Sequence, residues 1–280
     1  MPELPEVETM RRGIEPIVGS HIVGVARGPC RLKPIAVRPG LAALRRRAVG
    51  ARIRGVGRVG KRVIVELDSG DRMVLEPRMT GLVLLAAPPD AEHLRLRVAL
   101  AGGPADELLY WDRRGLGSVR LLSPAAFRRE LGPERLGPDA LEATAEVLRA
   151  RLGRSRRAIK VALLDQQAVA GIGNLYASEI LHRAAVHPAR ACCTLRGPQW
   201  QRLFEATQEV LREAIRYEGS TLGDGTYRNA LNQTGNFQNH HRVYGKAGQP
   251  CGRCRRGVIQ RIVQAQRSTF FCPRCQSKGR

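Results

Sequence analysis

Four cysteines near the C-terminus have the spacing of metal ligands. Cys251 and Cys254 form CGRC, seventeen residues follow, and Cys272 and Cys275 form CPRC. Each pair offers two thiolates within one tight turn, and tetrahedral Zn²⁺ accepts two such pairs. A closed four-sulfur shell leaves no open coordination position, so one structural Zn²⁺ is expected rather than a catalytic one. A second stretch with chemical potential opens the chain. MPELPEVETM crowds Pro2, Glu3, Pro5, Glu6 and Glu8 into the first ten residues of a basic protein. Pro5 suits the first turn of a helix, and the glutamates suit the positive end of its dipole. That reading and a chemical role for these residues both stand at this point. A third stretch, AGIGN over 170–174, joins two helical segments by a glycine turn. Asn174 then stands where a helix begins, and backbone amides exposed there suit a phosphate. Packing of a helical hairpin alone would also explain those glycines.

The totals narrow the partners. The chain has 280 residues, with 47 Lys plus Arg against 25 Asp plus Glu, a formal net charge of +22. Such an excess points to a polyanion, with nucleic acid first among them. A basic ribosomal or assembly protein is the alternative on charge alone. Only five of the basic residues are lysines, so Lys61 and Lys160 stand out as places where a compact ammonium is retained. No run of about 18 apolar residues exists and no signal peptide is evident, so no membrane partner and a cytoplasmic location are expected. Seven cysteines without an export signal argue against disulfides.

The elements that must carry these residues fall into three stretches. Val7, Met10 and Ile14 make one apolar stripe of a first helix. From about 20 to 122 the pattern is of short strands. KRVIVELDSGDRMVLEP reads as a hairpin, and HLRLRVAL alternates at Leu94, Leu96, Val98 and Leu100. Such a series suits a β-sandwich or a barrel. LSPAAFRRELGPERLGPDA reads as a linker, and four helices follow, one on the stripe Leu141, Ala145, Leu148 and Leu152 and a second near 156–166. A polar, glycine-rich stretch near 219–236 reads as a mobile functional loop. VIQRIVQ and STFF then predict a hairpin between the cysteine pairs, with Arg267 at its tip.

Taken together, MPELPEVET, AGIGNLYASE and RSTFFCPRCQ resemble the bacterial formamidopyrimidine-DNA glycosylases, in the same order and across essentially the whole chain. The resemblance implies an α+β multi-domain fold. An N-terminal helix plus β-sandwich would occupy 1–130, a helix–two-turn–helix domain 131–240, and a four-cysteine zinc finger 241–280. It also implies a bifunctional glycosylase and AP lyase of base excision repair. Such an enzyme removes 8-oxoguanine and formamidopyrimidines from double-stranded DNA and acts as a monomer in the cytoplasm, associated with the nucleoid. Pro2 would be the nucleophile once Met1 is removed, Glu3 its acid/base partner and Glu6 a support. An unperturbed α-amino group has a pKa of about 8, so part of it is neutral near pH 7. Lys61, Asn174 and Arg267 would hold phosphates at the lesion, with Lys160 and His93 near the DNA.

The target base must leave the duplex, and side chains must fill the gap. Relatives use Met, Arg and Phe for this. Met79 in EPRMTGL matches the first. The others lie in a run D-x-R-[RK]-F-G, which here is DRRGLG, giving Arg114 and Leu116 with Gly115 between them. Leucine can wedge between bases, but it stacks less well than an aromatic ring. Thr221 and Tyr227, in the glycine-rich loop, are the candidates for contacts to the flipped base. Two alternatives follow: the same chemistry directed at oxidised pyrimidines or abasic sites, or a DNA-binding protein without catalysis. Pro2 beside Glu3 argues against the second, since a pure binder needs no terminal secondary amine.

Overall fold

The computed structural model describes residues 2–32 and 34–277, which cluster into two compact units. The first comprises residues 1–132 and 215–238, the second 133–214 and 239–280.

The first unit begins with α1 (Leu4–Gly13), which buries Val7 and Met10 as its stripe predicts. Two sheets follow. β1 (His21–Arg27), β7 (Leu94–Ala101), β8 (Glu107–Asp112) and β6 (Gly81–Leu84) form an antiparallel four-stranded sheet in the order β1-β7-β8-β6. The second sheet has the order β2-β9-β5-β4-β3, from β2 (Ala36–Arg38), β9 (Ser118–Leu122), β5 (Arg72–Glu76), β4 (Arg62–Leu67) and β3 (Ile53–Val59). Only β2 and β9 run parallel. The two sheets bury one continuous apolar core, from Val63, Val65, Met73 and Leu75 to Leu96, Val98, Leu108 and Tyr110. Of the two β architectures compatible with the strand pattern, the sandwich is the one found. α2 (Leu41–Ala48) buries Leu44 and Ala48 in the same core. α1 is fixed to the second sheet by charge as well. Arg58 on β3 donates to Glu8 at 3.0 Å, and Arg11 and Arg12 of α1 pair with the same carboxylate. Burial pushes the Glu8 pKa up, but the bonds from Arg12, Arg11 and Arg58 outweigh it and hold the carboxyl below its usual value.

The stretch that reads as a linker starts with a helix, α3 (Pro124–Leu131). The Ser123 hydroxyl accepts the Ala126 N–H, and Pro124 takes the first helical position, a start signal that the surrounding Pro and Gly obscured.

The second unit is helical, with α4 (Ala145–Leu152), α5 (Ile159–Leu163), α6 (Asn174–Arg183) and most of α7 (Gly197–Arg216). α5 is shorter than the expected 156–166 span, and α4 starts only at Ala145, after its Thr144 cap. β10 (Gln260–Gln264) and β11 (Arg267–Phe271) form the expected C-terminal hairpin. Ala265 and Gln266 both have positive φ, so the two-residue turn is the kind whose twist matches that of the strands.

Candidate functional site

The N-terminal cluster is built by the start of α1. Glu3 holds the N-cap position, directly after Pro2, and both are buried. Glu6, three residues on, reaches back so that its Oε2 accepts the Glu3 backbone N–H at 2.8 Å. This is half of a capping box, and it answers for Glu6 as local structure demands. It does not answer for the other oxygen. Glu6 Oε1 accepts the Ser220 N–H at 2.9 Å, 214 residues along the chain. One buried carboxylate therefore ties the residue that follows Pro2 to the start of the glycine-rich loop. Gly219 makes this approach possible: its φ is +78°, and a Cβ there would lie 2.9 Å from Glu6 Cγ and Oε1. Met1, whose removal would free the Pro2 amine, lies outside the described residues.

Much of that loop is packed rather than free. Tyr227 is buried, and its hydroxyl donates to the Glu218 carbonyl at 3.0 Å and the Glu6 carbonyl at 3.4 Å. Burial, with the Glu6 and Glu218 charges, pushes the Tyr227 pKa well up, so the phenol keeps its proton and acts as a donor. Thr221 closes the loop, donating to the Tyr227 carbonyl at 2.8 Å and accepting the Gly235 N–H at 2.9 Å. The exposed residues are those of the tip, Gly223 to Gly225, and Leu231, Gln233, Thr234 and Asn236 further on. Tyr227 and Ala230 enter the core beside α1, which composition alone does not disclose.

A second cluster in the same unit gathers the gap-filling candidates. Asp112, fully buried at the end of β8, accepts the Thr80 hydroxyl, the Arg114 N–H at 3.2 Å and the Gly117 N–H at 2.8 Å. Thr80, the neighbour of Met79, also accepts the Arg114 N–H at 3.0 Å. One carboxylate thus joins the β5–β6 turn carrying Met79 to the β8–β9 turn carrying Arg114 and Leu116. Met79 and Leu116 are 37% and 38% exposed, whereas Gly115 between Arg114 and Leu116 is buried with φ +61°. Arg95, buried on β7, donates to the carbonyls of Asp112 at 2.7 Å and Arg113 at 3.3 Å. His93 lies beside this node, with its Nδ1 2.8 Å from Asp90 and its ring edge-on to Trp111. Asp112→Ala would leave the Gly117 amide and the Thr80 hydroxyl without their acceptor, at about 2 kcal/mol or more. The melting midpoint should fall by roughly 4–8 °C. Quenching of 2-aminopurine fluorescence opposite an abasic analogue should also change, and an unaltered signal would remove Asp112 as organiser of the two turns.

Lys61 forms the tip of the β3–β4 hairpin with Gly60, and the Val59–Arg62 pair flanks that two-residue turn. The cluster that the sequence places far apart, Lys160, Asn174 and Arg267, converges in the second unit. The AGIGN turn is shaped by Gln166, whose Nε2 donates to the Leu164 and Ile172 carbonyls and whose Oε1 accepts the Gly171 N–H at 3.0 Å. Gly171 has φ +107°, while Gly173 is extended and serves as the N-cap of α6. Asn174 opens α6. Its Oδ1 accepts the Lys160 ammonium and its Nδ2 donates to the Ser268 carbonyl at 3.0 Å, next to Arg267 on the zinc-finger hairpin. Lys160 is 0% exposed, so it acts on Asn174 and presents no open ammonium. Arg267 is exposed at the first residue of β11.

The metal cluster fits its ion. The four ligand sulfurs of Cys251, Cys254, Cys272 and Cys275 lie within 4.8 Å of one another. Tetrahedral zinc at about 2.3 Å from each sulfur requires edges of ~3.8 Å. Cys251–Cys275 measures 3.8 Å and Cys254–Cys272 3.7 Å. His182 supports the shell, with its Nε2 3.5 Å from Cys251 Sγ. Burial, then the charges of Arg253, Arg242 and Arg183, lower the His182 pKa to about 4, so the ring is neutral and its Nε2–H can donate to a thiolate. Sequence reasoning missed Glu179, buried on α6, whose carboxylate accepts the Arg242, Val243 and Tyr244 amides at 2.8, 2.9 and 2.8 Å. An acid inside a buried helical run, YASE, was the available signal.

Family profiles match along the chain: the formamidopyrimidine-DNA glycosylase N-terminal domain over 1–119, the formamidopyrimidine-DNA glycosylase H2TH domain over 131–225, and the zinc finger found in FPG and IleRS over 248–278. The chain is 42% identical to the formamidopyrimidine-DNA glycosylase of Chloroflexus aggregans, covering 99% of this chain and 98% of the relative. It is 40% identical to that of Thermus thermophilus, over 100% of both. Among solved structures, the Lactococcus lactis Fpg in complex with DNA containing an abasic site matches with TM-score 0.87 and 35% identity, over 99% of this chain and 100% of that one. The MutM (FPG) protein of Thermus thermophilus matches with TM-score 0.85 and 37% identity over the full length of both. These likenesses run from end to end, and the chain belongs to the formamidopyrimidine-DNA glycosylase family.

Proposed function

We propose that Pro2 and Glu3 carry the glycosylase and AP-lyase chemistry of base excision repair that the family assigns to this chain, with oxidised purines as the lesions removed. With Met1 gone, Pro2 presents a secondary amine. The amine attacks C1′ of the damaged nucleoside, and the base leaves as the C1′–N bond breaks and takes up a proton. The resulting Schiff base acidifies the neighbouring sugar carbon, and successive β- and δ-eliminations release the sugar from both flanking phosphates. Glu3 moves the protons that open the sugar and assist departure, work worth about 10²–10⁴-fold. Glu6 holds the Glu3 backbone and the loop at once.

DNA is held by charge placed elsewhere. Lys61, Asn174 and Arg267 bind phosphates, Lys160 orients Asn174, and His93 lies near the DNA. Met79, Arg114 and Leu116 fill the gap left by the flipped base, and Thr221 and Tyr227 shape the loop that covers it. The enzyme works as a monomer in the bacterial cytoplasm, on nucleoid DNA, with the functional parts divided at 1–130, 131–240 and 241–280. The Zn²⁺ holds the hairpin and takes no part in the reaction. A lesion preference shifted toward oxidised pyrimidines or abasic sites is the second reading, favoured by the half-exposed Leu116 beside the buried Gly115.

The observation that carries the proposal is the buried Pro2–Glu3 pair ahead of α1: Glu3 shares the capping box with Glu6, but the helix start makes no use of Pro2. Incubation with a duplex carrying 8-oxoguanine opposite cytosine, followed by borohydride, should trap a covalent protein–DNA adduct. Absence of adduct on both this duplex and abasic DNA would leave a binding protein instead. Adduct on oxidised-pyrimidine duplexes in preference to 8-oxoguanine would favour the second reading.

A further inference from the structure

Beside Leu116 lies a cleft of about 240 Å³ whose lining includes Arg38, Glu76, Arg78, Ser118 and Arg120. Its charges do not cancel. Glu76 is approached by Arg62 at 3.0 Å, Arg120 at 3.7 Å and Arg78 at 3.9 Å, and Arg120 also pairs with Glu130 at 2.6 Å. With Arg38, four guanidiniums meet two carboxylates. The carboxylates are taken up by Arg62 and Arg120, and the surplus lies with Arg38 and Arg78. Among the described residues, Arg78, 60% exposed in its side chain, makes only the long ion pair to Glu76, and Arg38, also exposed, makes none.

The backbone supplies an independent observation. Arg78 has φ +52°, in the turn between β5 and β6 that Gly81 N–H closes onto the Pro77 carbonyl at 2.9 Å. A left-handed conformation costs a non-glycine residue free energy that glycine does not pay. An arginine occupies the position although glycine would fit it better, and it directly precedes Met79. Strain retained at such a place is explained by what the side chain does.

We propose that this cleft is a phosphate site, in which Arg78 and Arg38 grip one backbone phosphate of the DNA beside the step that Leu116 enters. Leu116 would occupy the base stack while the guanidiniums neutralise the adjoining phosphate, so that an aliphatic wedge is held in place by charge where it lacks aromatic stacking. Arg78 is thereby assigned a binding role on the Met79 turn. The inference rests on the gap-filling reading of Leu116.

The test is equilibrium binding of the full-length protein to a duplex with a tetrahydrofuran abasic analogue, measured across a salt series. Arg78→Gly should melt at or above the wild-type temperature, because glycine accepts the turn, yet bind roughly tenfold more weakly at moderate salt. The slope of log K against log salt should become shallower by about 0.9, the signature of one lost phosphate contact. Arg38→Gln should lower the slope similarly, and Arg78→Lys should keep it. If Arg78→Gly and Arg38→Gln both retain the wild-type affinity and slope, the phosphate site is overturned. Leu116→Ala, read by 2-aminopurine opposite the analogue, tests the wedge separately. Loss of that signal with unchanged slopes in the arginine variants removes the phosphate site alone, while an unchanged signal removes the wedge reading on which it rests.

Discussion

Protein that keeps one residue ahead of Pro2 is expected to lose its borohydride-trapped adduct. An N-terminal extension turns the Pro2 nitrogen into an amide, which has no basic lone pair, and moves the nearest free amine by about 3.8 Å. Misplacement of a reacting group by about 1 Å can already cost 10²-fold, so the trapping rate should fall at least that far. The fold offers nothing to compensate. Glu3 and Glu6 are buried and held by the start of α1 and by Ser220, so the carboxylates cannot follow a displaced amine. Binding to the tetrahydrofuran duplex serves as the control for folding and should stay close to wild type. Glu3→Gln belongs to the same experiment: it keeps the amine and the N-cap position, and removes only the proton-transferring group. Its adduct should still form, more slowly, and strand cleavage should fall by about 10²–10⁴-fold. Full adduct yield from the extended protein would refute the amine mechanism, and full cleavage by Glu3→Gln would reduce Glu3 to a helix cap.

Stripping the zinc is expected to remove DNA binding without unfolding the β-sandwich. Structural zinc contributes about 10–16 kcal/mol in small domains, far more than the core around this site can supply. That core is four residues, Val243, Cys251, Ile259 and Cys272, and two of them are ligands. Without the metal the β10–β11 hairpin loses its anchor, Arg267 loses its position, and Asn174 loses the Ser268 carbonyl that orients its amide. The two phosphate contacts proposed for Arg267 and Asn174, at about 1.5–3 kcal/mol each, would correspond to roughly 10²–10⁴ in Kd. Chelator-treated protein, or Cys275→Ser, should show that loss, while the near-ultraviolet signal of Trp111 in the sandwich persists. Unchanged affinity in protein verified to be metal-free would remove the hairpin from the binding surface.

Much of this architecture was legible before any coordinates. The hairpin over β4 and β5, the alternation in β7, the stripe of α1 and the two cysteine pairs are local patterns, because a strand repeats every two residues and a zinc knuckle needs only four consecutive ones. Where local signals conflicted, the reading failed in a consistent way. The Pro- and Gly-rich stretch after β9 concealed α3, because Pro124 marks a helix start as readily as a break. The glycine-rich loop reads as free because its composition is polar, yet Tyr227 and Ala230 are held in the core by contacts with residues more than two hundred positions away.

The sequence by itself determined the residue types: a proline at position 2 next to a glutamate, four thiolates in two pairs, a basic chain, and a leucine at position 116. These are matters of covalent order and composition, and no folding was needed to know them. The tertiary structure decided which groups act together. It made Glu6 a bridge between the N-terminus and the loop, made Asp112 the node joining Met79 to Arg114, and made Lys160, expected near the DNA, the buried partner of Asn174. Each of those links is a hydrogen bond between segments far apart in sequence. Such bonds depend on burial and on meeting geometry, and neither is encoded in the spacing of residues along one segment.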